Sequence, residues 1–249
     1  GYAFDCRLQR PPNATLVWSD VFDGPALDPR NWIYDTEFNK SGWFNKERQY
    51  YSADRSENAR ITDGVLVIEA RRERLDPKRF ADWGGQDYTS ARLLSTQAWT
   101  YGFYEIRARL PCARGTWPAI WMLPIDMKKW PDDGEIDIME HVAAERNLIY
   151  ASLHTLLFNH VKKTQRSASS SCSSWRSTSV RSMTSSSRSV SASVQPGGRV
   201  TVRTCQPERM MSRISSRRPW QRTSDMAPLA AWLMGLYRLT CRVPRSCEG

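Results

Sequence analysis

The sequence predicts an all-β fold, an antiparallel β-sandwich or jelly roll. Three observations predict it: one run with clean two-residue alternation, several short apolar runs set between turn formers, and no long stretch with the 3.6-residue helical period. In chain order, Asp63-Gly64 is a turn signal and Val65-Leu66-Val67-Ile68-Glu69-Ala70 after it reads as a strand. Tyr101 to Leu110 (YGFYEIRARL) puts Tyr104, Ile106, Ala108 and Leu110 on one face. Phe103, Glu105, Arg107 and Arg109 fall on the other, as in a half-buried strand. Ala119 to Leu123 (AIWML) and Ile149 to His154 (IYASLH) are two further strands. At 249 residues, one large domain of this class or two small ones are within the ordinary range.

Composition narrows the function classes. Eleven Trp and nine Tyr suit the apolar faces of sugar rings, and suit an ordinary core equally. The net charge of +10 points toward nucleic acid until its distribution is seen. Residues 1–166 carry 23 basic and 23 acidic side chains and are neutral; residues 167–249 carry 13 Arg, no Lys and 3 acids. That Arg-rich segment lacks the interleaved aromatics of single-strand binders, so no nucleic-acid partner is expected. Six cysteines (Cys6, Cys112, Cys172, Cys205, Cys241 and Cys247) form no CxxC pair, which weakens zinc-ribbon and thioredoxin readings and leaves any disulfide unassigned. No apolar run reaches 18 residues, so no transmembrane helix and no membrane partner are expected, and no signal peptide opens the chain.

The character changes near Ser167. Residues 167–193 hold 15 Ser in 27 positions, and residues 208–223 show no strand alternation. Only Ala227 to Leu239 has the apolar content of a short helix or strand. By composition, most of 167–249 is expected to be disordered or poorly packed. Three origins remain open: a Ser/Arg linker, an unusual second part of the domain, or translation in a shifted reading frame, which we favour. Met183-Thr184 and Met210-Met211 each require ATG followed by A, so the frame starting at the second base is closed by TGA. Only the frame starting at the third base could then be the true one, and stops there in the DNA would end the idea.

The densest chemical signal is Gly134-Glu135-Ile136-Asp137-Ile138-Met139-Glu140 (GEIDIME). In a regular strand Glu135 and Asp137 share a face, with Ile136 and Ile138 turned to the core. Glu140, five positions from Glu135, returns to the acidic face only if a β-bulge at Ile138-Met139 adds one residue. Three carboxylates on one face repel one another, an arrangement that folding alone would not select. It suits a retaining glycosidase, in which one carboxylate attacks the anomeric carbon and another, of raised pKa, protonates the leaving oxygen. An exposed acidic edge strand or a cation site would show the same spacing.

This strand resembles the active-site strand of glycoside hydrolase family 16, and laminarinase-like members in particular. Trp18 to Gly24 (WSDVFDG), Asn45 to Tyr51 (NKERQYY), Tyr101 to Ala108 (YGFYEIRA), Gly115 to Pro124 (GTWPAIWMLP) and His154-Thr155 are similar to family segments in the same order, over residues 15–166. The resemblance implies a concanavalin A-like jelly roll that hydrolyses β-1,3-glucan chains internally with retention. It implies Glu135 as nucleophile, Glu140 as general acid/base and Asp137 as assisting carboxylate. It also implies Asn45, Glu47, Trp117, Trp121 and His154 as substrate-binding groups. Trp121 and His154 equally suit the core, and Glu47 equally suits the surface. Trp32, Trp83 and Trp99 read as core or loop aromatics. No redox cofactor or catalytic metal is implied. A structural Ca2+ is compatible with the family, with no ligands located. A β-glucan substrate, a monomer, and a secreted or periplasmic location follow from the same resemblance.

The sequence departs from the family after His154-Thr155. The strands that normally complete the jelly roll are not recognisable in 167–249. We therefore divide the chain into a catalytic part, 1–166, and a Ser/Arg-rich part, 167–249. A jelly roll short of several strands leaves open edges and bare core, so the sequence reading expects poor folding or inactivity. A glucan-binding module without activity is the other class to weigh. The three intact carboxylates argue against it.

Overall fold

The computed structural model describes residues 14–100, 102–111, 113–145, 148–171, 176–184, 187–192, 195–204 and 233–242. The described residues form eighteen strands. They are β1 (Thr15–Asp20), β2 (Trp32–Tyr34), β3 (Gln49–Tyr51), β4 (Ala59–Thr62), β5 (Val65–Ile68), β6 (Arg71–Arg72), β7 (Tyr88–Ser90), β8 (Leu93–Ser95) and β9 (Ala98–Trp99). Then come β10 (Phe103–Arg109), β11 (Ala119–Pro124), β12 (Glu135–Glu140), β13 (Leu148–His154), β14 (Arg166–Ser171), β15 (Arg176–Thr184), β16 (Ser187–Ala192), β17 (Gln195–Thr204) and β18 (Leu233–Arg242). One 3-10 turn, Phe44–Lys46, is the only helical element among the described residues.

Two sheets make the body of the fold. One runs β15-β18-β10-β17-β5-β4, with β1 also paired to β17; the other runs β14-β13-β12-β11-β16-β9. The all-β sandwich expected from the sequence is therefore present. Most pairings are antiparallel; β10 with β18 and β3 with β7 are parallel. The core lies between the sheets, because one cluster joins Leu66 and Ile68 (β5) and Tyr104, Ile106 and Ala108 (β10) to Ile120 and Met122 (β11), Ile136 and Ile138 (β12) and Ile149 (β13). Alternation in β10 is what faces those residues inward: Tyr104, Ile106, Ala108 and Leu110 are buried, while Arg107 and Arg109 are exposed. Each fully buried aliphatic side chain of this kind contributes about 1.5–3 kcal/mol. Trp32 is buried in the same core. Trp99 packs against it and Trp83 lies under the Arg74 guanidinium, as expected of core and loop aromatics.

After Ser167 the described residues carry strand backbone at β14 through β17 and at β18. A β-ladder is made by main-chain groups, which Ser and Arg carry as well as Val does. The calls on Tyr101, on residues 208–223 and 227–232, and on Cys6, Cys112, Cys172, Cys205 and Cys247 fall outside the described residues.

Candidate active site

The centre of the six-stranded sheet is the GEIDIME strand, β12, between β11 and β13. Gly134, at φ +102, makes the turn into it, a conformation that a side chain would strain. Pairing proceeds Glu135 to His154, Ile136 to Leu153 and Asp137 to Ser152, and then jumps to Glu140 opposite Tyr150. On the other side Ile120 pairs Met139 and Trp121 pairs Asp137. Ile138 is thus the extra residue of a bulge, where the sequence required one. Ile136, Ile138 and Met139 go into the core, while Glu135 and Glu140 stay half-buried.

Each carboxylate has its own partner. The Trp130 indole Nε1 donates to Glu135 Oε2 at 2.6 Å. The Trp117 indole Nε1 donates to Glu140 Oε1 at 3.1 Å. His154 Nε2 lies 3.3 Å from Asp137 Oδ2, with both side chains buried. Burial, and then the Asp137 charge, push Glu135 up to about 7, against the opposing pull of the Trp130 bond. Burial and the Glu140 charge hold Asp137 well above the usual carboxylate range. Burial also raises Glu140, against the Trp117 bond and His154. Three enclosed carboxyls on one strand oppose one another's ionisation, so each one's charge depends on the other two.

The remaining sequence candidates divide. Trp117 is 58% exposed and its indole reaches Glu140. Trp121 is the β11 neighbour of Asp137, and the Arg92 guanidinium sits 4.4 Å over its ring. Arg92 also covers Trp43 at 4.8 Å and donates to Asp35 at 2.7 Å. Trp43 meets Tyr51 edge-on, and Tyr51 donates to Glu47, which also accepts from Gln49. Glu47 is therefore linked to Trp121 through a chain of packed groups. Asn45 is exposed in the turn that follows Trp43, in the left-handed conformation that Asn tolerates (φ 55, ψ 20). Sequence reasoning missed Trp130, Arg92 and His160. Trp130 lies only five residues before Glu135, a proximity that could have drawn attention. Arg92 carried no local signal, because its role depends on two distant indoles. No group of three or more His, Cys, Asp or Glu suited to a metal occurs among the described residues, and no helix among them is long and apolar enough to cross a membrane.

Fold and site together fit one class: a β-sandwich carrying a carboxylate pair on an aromatic-bearing sheet face, the equipment of a glycoside hydrolase. The profile of the XgeA-like catalytic GH16 domain matches residues 46–206. The chain belongs to glycoside hydrolase family 16. A β-glucanase from Rhodothermus marinus is 49% identical over 170 residues, covering 66% of this chain and 56% of that protein. A glucan endo-1,3-β-glucosidase from Cryptopygus antarcticus is 39% identical over 147 residues, 56% of this chain and 50% of that one. The chain thus spans about half the length of the curated relatives it matches. Among solved structures, SCLam, a non-specific endo-β-1,3(4)-glucanase from family GH16, is similar at a TM-score of 0.65 and 36% identity, over 79% of this chain and 83% of that one.

Proposed function

We propose that this chain hydrolyses internal β-1,3-glucosidic bonds of laminarin-type β-glucans with retention of configuration. The observation that carries the reading is the bulged strand, which returns Glu140 to the face of Glu135 and Asp137 and supplies an indole donor to each glutamate. The named relatives, a β-glucanase and a glucan endo-1,3-β-glucosidase, support the substrate class. Glu135 attacks the anomeric carbon while Glu140 protonates the departing oxygen. A glycosyl-enzyme forms, and Glu140 then takes a proton from the water that releases it. Burial and then the Asp137 charge disfavour an ionised Glu135, so any neutralisation of Asp137 would ease the approach of Glu135 to its attacking form. The Trp130 bond favours the same charge state. Trp121 offers an aromatic face for the sugar, held by Arg92. None of these steps calls on a metal or cofactor. A polymeric substrate of this kind is met outside the cytoplasm, which supports a secreted or periplasmic location, and we propose a monomer whose partner is the β-glucan.

The test is reducing-sugar release from laminarin by the purified chain, with lichenan and agarose alongside. Release from laminarin, lost in Glu135→Gln while laminarin binding persists, is the expected result. Binding without release in the parent chain would favour a glucan-binding module. Neither binding nor release, together with no cooperative melt, would mean that residues 167–249 do not complete a working domain.

A further inference from the structure

Beside the catalytic strand three rings meet. Trp130 lies 5.8 Å from the His154 ring and 4.9 Å from the His160 ring, and His154 and His160 meet edge-on at 5.4 Å. His154 reaches this cluster from β13, opposite Glu135. His160 comes from the loop after it, and that loop is stitched to itself. The buried Asn159 donates through Nδ2 to the Thr155 carbonyl at 2.9 Å and accepts the Lys162 N–H through Oδ1 at 2.9 Å. Phe158 N–H donates to Thr155 Oγ1 at 3.1 Å, and Thr164 Oγ1 donates to the Leu157 carbonyl at 2.8 Å. A loop ordered in this way holds a side chain at a set place.

Trp130 has less of its own to hold it. The residue is 36% exposed, and it sits in the connection before Gly134, where Asp133 gathers the Lys128 and Lys129 amides. A rotation of that indole would break its bond to Glu135. His160 is exposed and takes no part in the core, yet its ring lies against the indole at 41°.

We propose that His160 is a positioning residue, whose ring keeps the Trp130 indole against Glu135 so that the Nε1–Oε2 bond stays closed. The effect on rate rests on Glu135 being the nucleophile; the effect on the Glu135 carboxyl does not. Glu135 is faced by Asp137 and Glu140 from its own strand, by His154 from β13 and by Trp130 from the preceding connection. Asp137 and Glu140 disfavour its charge, whereas Trp130 and His154 favour it. Loosening Trp130 removes a donor from the ionised form, so Glu135 should hold its proton to higher pH.

The experiment follows the Glu135 carboxyl directly, by NMR of the full chain carrying 13C-labelled glutamate, with Glu135→Gln identifying the resonance. His160→Ala is expected to move the Glu135 midpoint alkaline by about half a pH unit or more, roughly a threefold loss of the ionised form below the midpoint. His160→Phe, which keeps a flat ring and removes the imidazole nitrogens, is expected to restore the parent midpoint. Thermal melts should coincide for all three, and the acidic limb of kcat on laminarin should move with the midpoint while KM holds. A His160→Ala midpoint that overlies the parent's overturns the proposal. So does an equal shift in both variants, which would assign the effect to imidazole charge. A rise in KM with no change in midpoint would make His160 a sugar contact and also overturn it. The titration needs no turnover, so a parent chain that fails to hydrolyse laminarin counts against the proposed function alone.

Discussion

The two ends of β12 solve one chemical problem with different firmness. At the Glu135 end an indole donates at 2.6 Å and is packed against two histidine rings. At the Glu140 end an indole donates at 3.1 Å and is 58% exposed. In the proposed reaction the difference has a reason. The nucleophile must present one oxygen to one carbon, so a fixed donor that stabilises its charge is useful. The acid/base must give up a proton, regain one and admit water, and a firm bond to its charged form would oppose reprotonation.

The largest expected effect breaks the looser end. Glu140→Gln should reduce turnover of laminarin by roughly 10²–10⁴-fold, the range for loss of a general acid. An aryl glucoside whose leaving group needs no protonation should lose far less in its first step, visible as a burst of phenolate. Equal loss on both substrates would remove Glu140 from the acid/base role. Next come the two indoles. A hydrogen bond to a charged group is worth about 1.5–3 kcal/mol, so Trp130→Phe should cost roughly tenfold or more in kcat at acidic pH. Its acidic limb should also move alkaline, because the ionised Glu135 loses a donor. Trp117→Phe should cost less, since the bond is longer and more exposed. The reverse order in kcat would undo the contrast between the ends.

A smaller effect concerns stability. The folded-state pKa of Asp137 lies above its unfolded value, so between the two the folded chain binds the extra proton. Stability is then lost as pH rises through that window. Asp137→Asn should melt with the parent in acid, below the ordinary Asp value, and be more stable than the parent at neutral pH. Thermal melts across pH check this, and a variant less stable than the parent at pH 7 would show that the His154 contact outweighs the repulsion.

Legibility in the sequence followed range. Strand β10 was readable because burial alternates with a period of two within one segment, and Tyr104, Ile106 and Ala108 report it. The bulge was readable for a chemical reason: without an extra residue, Glu140 would face away from Glu135. Residues 167–204 were not legible in the same way: their Ser and Arg content carries no alternation, while the pairing of Leu148–Leu153 with Arg166–Ser171 is built on main-chain groups. Whether those residues are read in their proper frame is a matter for the DNA, and we propose sequencing across codon 167 to decide it.

The sequence by itself determined the all-β class, the acidic strand with its bulge and, through ordered family-like segments, three carboxylates and Trp117 beside them. Those features depend on residues near one another in the chain, where periodicity and spacing translate directly into geometry. Only the tertiary structure decided that Trp130 and not another indole bonds Glu135. It alone stacked Arg92 between Trp43 and Trp121, and brought His160 to the Trp130 ring. These contacts join side chains from separate strands and loops, and their meeting is set by sheet pairing and core packing, which no single segment encodes.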